Sequence, residues 1–162
     1  MRGARLLRLA LLAPALMACT AKEVPFAPLD LGRASGMGAK GAACAYLATE
    51  AEFLRLFREI RAGELPPPEP PKVDFGTKAV LFFSPGMKPT GGWRVSIEGV
   101  QRRGDALRAT VAVREPDPGM MHAQAMTRPY ALATVAREEG AARLEFVSPA
   151  GEALCEREIE AK

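Results

Sequence analysis

The spacing of hydrophobic residues predicts one amphipathic helix in the first half of the chain. Thr49 and Glu52 have the spacing of a capping box, in which each side chain accepts a hydrogen bond from a backbone amide at the start of a helix. Four apolar residues then fall on one helical face: Phe53, Leu56, Phe57 and Ile60. We therefore predict a helix that runs to about Ala62 and ends at Gly63. The prolines between residues 66 and 71 predict a stiff, extended loop after it, and a ligand for another domain is the alternative interpretation.

Beyond about residue 76 the hydrophobic pattern is typical of β-strands. The continuous apolar run 79–83 predicts a central strand that is covered on both faces. Apolar and polar residues alternate over 93–98 and 107–114, which predicts two half-buried antiparallel strands joined at Gly104 and Asp105. Further strands are expected at 42–48, 130–136, 143–148 and 153–159. This pattern predicts an α+β fold: an antiparallel sheet or sandwich of about six or seven strands with one packed N-terminal helix.

The amino terminus has the pattern of a lipoprotein signal peptide over residues 1–18. Three arginines precede a short apolar run, which ends in the lipobox sequence Leu16-Met17-Ala18-Cys19. The run is shorter than the ~20 apolar residues of a membrane-spanning helix. We expect cleavage before Cys19 and acylation of its thiol, which would anchor the chain to the bilayer. Plain secretion and an uncleaved cytosolic start are the alternatives.

This leader predicts the location and the domain organisation. An acylated Cys19 would place the protein outside the cytoplasm, lipid-anchored to a membrane of the cell envelope. Residues 19–40 contain several prolines and glycines without apolar periodicity, so we predict a tether there, although Val24, Phe26 and Leu29 offer contacts for docking on the domain. Residues 41–162 would form a single α+β domain.

The net charge of the chain also depends on the leader. The whole chain has 22 basic and 19 acidic residues, but three of the basic residues lie in the predicted signal peptide. The mature protein would therefore be formally neutral. A basic patch for nucleic acid is not indicated.

Two cysteines remain once Cys19 is acylated. Cys44 and Cys155 would lie in an oxidising compartment, where disulfides persist. A disulfide closing a loop of roughly 110 residues would stabilise the fold by about 4–5 kcal/mol in the chain-entropy model. Two buried free thiols are the alternative, and CxxC spacing typical of a zinc or redox site is absent.

Two irregular segments are candidates for contact with a partner. Residues 85–93 join two predicted strands, and their partner-binding candidates are Lys88, Pro89, Thr90, Gly91, Gly92 and Trp93. Anion binding and a purely structural hairpin are the alternatives, because the phosphate-binding motif would need a following helix. Residues 115–128 contain three methionines and the only histidine, with Met121, His122 and the nearby Tyr130 as candidates. Methionine side chains form adaptable contact surfaces, and packing within the loop is the alternative.

Catalytic and cofactor chemistry is weakly indicated. His122 is the only conventional general base near neutral pH, and no nucleophile stands beside it in sequence. We expect no enzyme activity, catalytic residue, metal or cofactor. The alternatives are a hydrolase using His122 or a carboxylate pair, and a Cu(I) or small-ligand site formed by Met120, Met121, His122 and Met126.

Several short motifs occur in a distinctive order along the chain. The capped helix is followed by PKVDF at 71–75, AVLF at 79–82, KPTGGW at 88–93, VREPDPG at 113–119 and TRPY at 127–130. In this series the chain resembles the PrcB C-terminal domain family, named for an accessory component of a protease complex, over about residues 41–146. Trp93 stands where tyrosine is more common, which keeps an aromatic ring there.

The resemblance implies an accessory domain outside the cytoplasm that binds another protein. Its partner would be an envelope or secreted protein, for which a protease or its precursor is one candidate. The resemblance carries no catalytic residues. It agrees with the neutral, β-rich, anchored domain that the residues themselves predict.

Overall fold

In a computed structural model, residues 21–34 and 40–160 are described, and they form nine strands and one helix. The strands are β1 (Lys22–Glu23), β2 (Phe26–Arg33), β3 (Ala43–Leu47), β4 (Lys78–Ser84), β5 (Arg94–Arg103), β6 (Ala106–Arg114), β7 (Pro129–Ala136), β8 (Arg143–Val147) and β9 (Ala153–Glu158). The helix α1 spans Glu50–Ile60, between β3 and β4. The predicted signal peptide and Cys19 lie outside the described residues.

The strands form two sheets that pack face to face. One sheet has the order β1-β5-β6-β8-β9, and the other has the order β2-β7-β4-β3. All pairs are antiparallel except β6 with β8. This architecture confirms the α+β class, but the prediction of six or seven strands is wrong, because the described residues form nine.

The two additional strands lie in the segment predicted to be a tether. β1 pairs with β5 in one sheet, and β2 pairs with β7 in the other, so residues 22–33 cross from sheet to sheet. The tether prediction for residues 19–40 is therefore wrong for these positions. Pairing with distant strands holds this segment in place, whereas few of its side chains are fully buried and its apolar alternation is weak. Val24 is the exception, with 3% of its surface exposed.

Strand β4 is covered on both faces, as its continuous apolar sequence predicts. Ala79, Leu81 and Phe83 belong to the core between the sheets. Val80 and Phe82 belong to a second core on the other face, beneath α1. The molecule thus has three layers: the five-stranded sheet, the four-stranded sheet and the helix.

The capping box at the start of α1 is confirmed. The Thr49 hydroxyl accepts a hydrogen bond from the Glu52 amide at 3.3 Å, and the Glu52 carboxylate accepts one from the Thr49 amide at 3.2 Å. Phe53, Phe57 and Ile60 are buried against the four-stranded sheet. The helix ends two residues before the predicted Ala62.

Cys44 and Cys155 form the predicted disulfide. Their Cα atoms are 6.2 Å apart, and the bond joins β3 of one sheet to β9 of the other. Arg157 donates a hydrogen bond from Nε to the Cys44 carbonyl at 3.3 Å, next to the disulfide. The disulfide thereby holds the edge strands of the two sheets, β3 and β9, together on this side of the sandwich.

Over residues 21–34 and 40–160, none of the helical structure has the length and apolar character needed to cross a bilayer.

Candidate functional site

The two irregular segments of the sequence meet at one end of the sandwich. The strand registers place Arg33 opposite Pro129, Ala43 opposite Ser84, and Arg94 opposite Arg114. At this end of the molecule the chain therefore leaves β2, β4 and β6 and enters β3, β5 and β7. We call the exposed parts of residues 85–93 and 115–128 the loop surface.

Backbone hydrogen bonds join the two loops into one unit. Lys88 and Thr127 exchange amide-to-carbonyl hydrogen bonds of 2.7 and 2.9 Å. The Gly91 amide donates to the Ala123 carbonyl at 2.8 Å, and the Thr127 hydroxyl donates to the Thr90 carbonyl at 2.7 Å. Each loop was predicted as a separate contact segment, whereas the structure makes them a single surface.

Gly92 and His122 form a close contact between the loops. Gly92 has a φ of +84°, and a Cβ atom there would lie 2.4 Å from Nδ1 of His122. The other ring nitrogen, Nε2, is 3.0 Å from the carbonyl oxygen of Asp117. The imidazole therefore fills the space that the missing side chain of Gly92 leaves.

The neighbouring Gly91 has a different role. It is buried, and a Cβ atom added to it would lie 3.5 Å from Cβ of Ala123, which is an ordinary contact. Only Gly92 of the pair requires a left-handed backbone.

Lys88 and Trp93 form a cation–π pair within the first of the two loops. Nζ of Lys88 lies 4.5 Å from the centroid of the Trp93 ring. Lys88 forms no ion pair with the described residues, so its ammonium group interacts with the face of the Trp93 ring instead. The neighbouring Pro89 is exposed, and Thr90 is half-buried.

Three methionines give the loop surface an apolar exposed area. Met120, Met121 and Met126 are 61%, 102% and 67% exposed. Solvent exposure of three flexible thioether side chains in one loop is typical of a surface that adapts to a partner.

Tyr130, predicted as a partner contact, is buried and does not belong to the exposed loop surface. Only 1% of its surface is exposed, and its hydroxyl donates a 2.7 Å hydrogen bond to Oδ2 of Asp30. The same oxygen of Asp30 is 2.6 Å from Nη2 of Arg61. Burial raises the pKa of Tyr130, and the hydrogen bond to Asp30 adds to that shift. The Tyr130 side chain lies on the face of β7 that the helix covers. Its hydroxyl there links β7 to β2 through Asp30.

Arg128, two residues earlier, is a buried cation that sequence reasoning missed. Its side chain is 1% exposed and donates one hydrogen bond, from Nη2 to the Gly41 carbonyl at 3.0 Å. Burial lowers its pKa. Nε and Nη1 have no partner among the residues described, so this guanidinium holds Gly41, just before β3, at some cost in desolvation.

A cleft of about 350 Å³ borders the loop surface. It lies between the ends of β2 and β5, and its lining residues are Leu31, Gly32, Arg33, Gly92, Trp93, Arg94, Val95 and Tyr130. Sequence reasoning missed the β2 side of this cleft, because Leu31 and Arg33 lie in the predicted tether. The sequence feature that could have indicated this cleft is Trp93, which lines the cleft and belongs to the KPTGGW motif.

Within the described residues, no cluster of His, Cys, Asp or Glu ligands for a metal and no hydroxyl or carboxylate partner of His122 is present. Within residues 21–34 and 40–160, no three or more His, Cys, Asp or Glu side chains lie together where they could hold a metal ion. Met121 is fully exposed, and the imidazole nitrogens face Gly92 and the Asp117 carbonyl. No described hydroxyl or carboxylate side chain forms a hydrogen bond with His122.

Part of the chain matches a known protein family. The family model described as PrcB C-terminal matches residues 79–136. This range runs from β4 to the end of β7 and contains both loops. No curated protein matches the chain, and no solved structure matches it.

Proposed function

We propose that this chain, which matches the PrcB C-terminal family model over residues 79–136, is an accessory protein that binds and stabilises another envelope protein. A protease of the envelope is the partner that the resemblance of the sequence motifs implies. On this proposal the domain acts by binding and performs no catalysis of its own.

One observation carries the proposal: two loops of the family segment are hydrogen-bonded into a single exposed surface. That surface combines three exposed methionines with a lysine held over a tryptophan. Aromatic residues and methionine are enriched at protein–protein contacts, and a surface braced by backbone hydrogen bonds loses little entropy on binding. The methionines can adapt to the partner while the braced backbone keeps its shape.

Two further features support a location outside the cytoplasm. The disulfide between Cys44 and Cys155 is typical of an oxidising compartment. The lipobox ending at Cys19 offers an anchor that would place the domain at the membrane surface. We propose that the mature protein begins at Cys19 and carries lipid there.

Partner capture tests the binding proposal. The native protein is crosslinked in cells, recovered from envelope extracts and compared with a variant carrying Met120→Gln, Met121→Gln and Met126→Gln. We expect this variant to recover a specific partner at least about tenfold less well, because a few contacts carry most of the binding energy of an interface and three are removed together.

The matched control for capture is Leu65→Gln. Leu65 is also a large exposed apolar residue, at 92%, but it lies after the helix and away from the loop surface. Its replacement should leave capture unchanged. Equal recovery by all three proteins would contradict the proposed surface.

The anchor is tested separately. Cells are labelled with a palmitate analogue, and the wild-type chain is compared with Cys19→Ala. Label should enter the wild-type chain only, and the labelled protein should remain with the membranes. Unlabelled wild-type protein in the soluble fraction would overturn the anchoring proposal without affecting the binding surface.

A further inference from the structure

We infer that the cleft beside Trp93 binds an apolar side chain of the partner that has a carboxylate next to it. This inference rests on the proposed binding function and specifies the chemistry of the segment that is bound. Its site is continuous with the loop surface, because Gly92 and Trp93 belong to both.

The walls of the cleft favour an apolar group. Leu31 is 53% exposed although it is a large aliphatic residue on a strand, and it lines the cleft together with Trp93 and Val95. A volume of about 350 Å³ is at the lower end of the ~300–1,000 Å³ range of small-molecule pockets. The cleft therefore suits one side chain and its adjoining backbone better than a larger ligand. A small, fully hydrated anion would gain nothing from these apolar walls.

The charges around the cleft favour an anion beside that apolar group. Arg33 and Arg94 line it from opposite sheets, and both are exposed. Neither forms an ion pair with the described residues, and the cleft has no acidic lining residue. Two unpaired guanidinium groups can hold a carboxylate through charge-assisted hydrogen bonds.

The strand register adds to the positive charge at this point. Arg94 lies directly opposite Arg114 in the β5–β6 pair, and like charges at opposed positions destabilise a sheet. Arg114 has a carboxylate partner, with Nη2 3.1 Å from Glu98, whereas Arg94 has none among the described residues. An incoming carboxylate at the cleft would provide the missing partner.

Two sources offer a carboxylate next to an apolar side chain. One is the free carboxyl terminus of a chain that ends in an apolar residue. The other is an internal Asp or Glu beside an apolar residue. The chemistry is shared, so the test includes both.

Fluorescence offers a direct test, because Trp93 is the only tryptophan of the chain. The full chain is purified in detergent and titrated with three acetylated pentapeptides. The first ends in leucine with a free carboxylate, the second is its carboxamide, and the third is a carboxamide with an internal Glu-Leu pair. We expect a saturable change in emission with the first or third peptide, and at least about tenfold weaker binding of the second, since a carboxamide cannot accept the charge-assisted hydrogen bonds that a carboxylate accepts.

Two variants and a matched control locate the binding. Arg33→Gln and Arg94→Gln should each raise the dissociation constant of the binding peptide about tenfold. Arg103→Gln should leave it unchanged, because Arg103 is an exposed arginine at the opposite end of the same strand, β5. Circular dichroism of each variant checks that the fold is retained.

Three results would overturn the inference. They are no saturable binding of either carboxylate peptide at millimolar concentration, equal binding of the carboxamide, and equal binding by the arginine variants. Failure here is distinguishable from failure of the proposed function. If the methionine variant still loses partner capture, the loop surface remains the proposed binding surface, and only the inference about the cleft is wrong.

Discussion

The two open sides of the sandwich are closed in different ways. On one side, the disulfide between Cys44 and Cys155 joins the edge strands β3 and β9 of opposite sheets. On the other side, the chain itself crosses from β1 to β2, where the Val24 amide donates a 2.9 Å hydrogen bond to the Val100 carbonyl. Beyond that crossing, toward the loop surface, the cleft separates β2 from β5.

The two sides of the sandwich therefore differ in role: the disulfide that stabilises the fold lies on one side, and the proposed binding cleft lies on the other. A covalent link holds its side of the sandwich whatever the neighbouring side chains are. On the side closed by chain continuity, the crossing lies at one end, and Leu31, Arg33 and Arg94 are exposed at the other. We infer that the first side supplies stability and the second side supplies the binding surface.

Loss of the disulfide should have the largest effect on stability. In a variant with Cys44→Ala and Cys155→Ala, the free energy of unfolding should fall by about 4–5 kcal/mol, because the bond constrains roughly 110 residues of the unfolded chain. Urea denaturation followed by circular dichroism measures the change. Reduction of the wild-type protein should give a similar loss, and a loss below about 1 kcal/mol would contradict the role assigned to this side.

A substitution at Gly92 should have the next largest effect and should act on the other side. Gly92→Ala places a Cβ atom against the His122 ring and demands a left-handed backbone from alanine. We expect a loss of about 2 kcal/mol together with loss of partner capture, since strain of this kind costs about 1–3 kcal/mol.

The neighbouring glycine offers a matched control. Gly91→Ala meets only an ordinary contact with Ala123 and should change stability by less than about 0.5 kcal/mol. If the two variants behaved alike, the close packing of His122 against Gly92 would not be what restricts substitution at residue 92.

Removing the Tyr130 hydroxyl should have a smaller effect. Tyr130→Phe deletes the hydrogen bond to Asp30 but leaves the Arg61 ion pair, so we expect a loss of about 1.5 kcal/mol. Tyr46→Phe is the control, because the Tyr46 hydroxyl has no hydrogen-bond partner in the described part of the chain, and it should change stability by less than about 0.5 kcal/mol.

The pH dependence adds a second readout for Tyr130. Because its pKa is raised in the folded protein, the folded state retains the phenolic proton at a pH where the unfolded state loses it. Stability from this group is therefore complete below pH ~10, the ordinary tyrosine pKa, and falls at higher pH. The stability advantage of wild type over Tyr130→Phe should shrink above that pH, and a constant difference would contradict the assignment.

The parts of the fold that the sequence predicts are those with a local pattern. The capping box at Thr49 and Glu52 and the two-faced strand β4 depend on neighbours a few residues away, so periodicity reveals them. Strand β2 depends on pairing with β7, about a hundred residues later, and its own side chains are mostly exposed. Apolar periodicity therefore carries no signal for it.

The candidate site shows the same limit. Composition indicates both loops, but their union depends on the Lys88–Thr127 pairing, which no local pattern contains. The TRPY motif draws attention to Tyr130, yet β7 is buried on both faces, so the tyrosine lies in the core. Whether a motif residue is exposed depends on what covers its strand.

The methionines of the loop surface should have the smallest effect on stability. Replacing Met120, Met121 and Met126 by Gln should change the free energy of unfolding by less than about 0.5 kcal/mol, because exposed side chains contribute little to the core. Partner capture should nevertheless fall, whereas the disulfide variant, studied where it is folded, should retain capture. A methionine variant that unfolds in much less urea than wild type would show that these side chains support the fold, and the separation of stability from recognition would then be wrong.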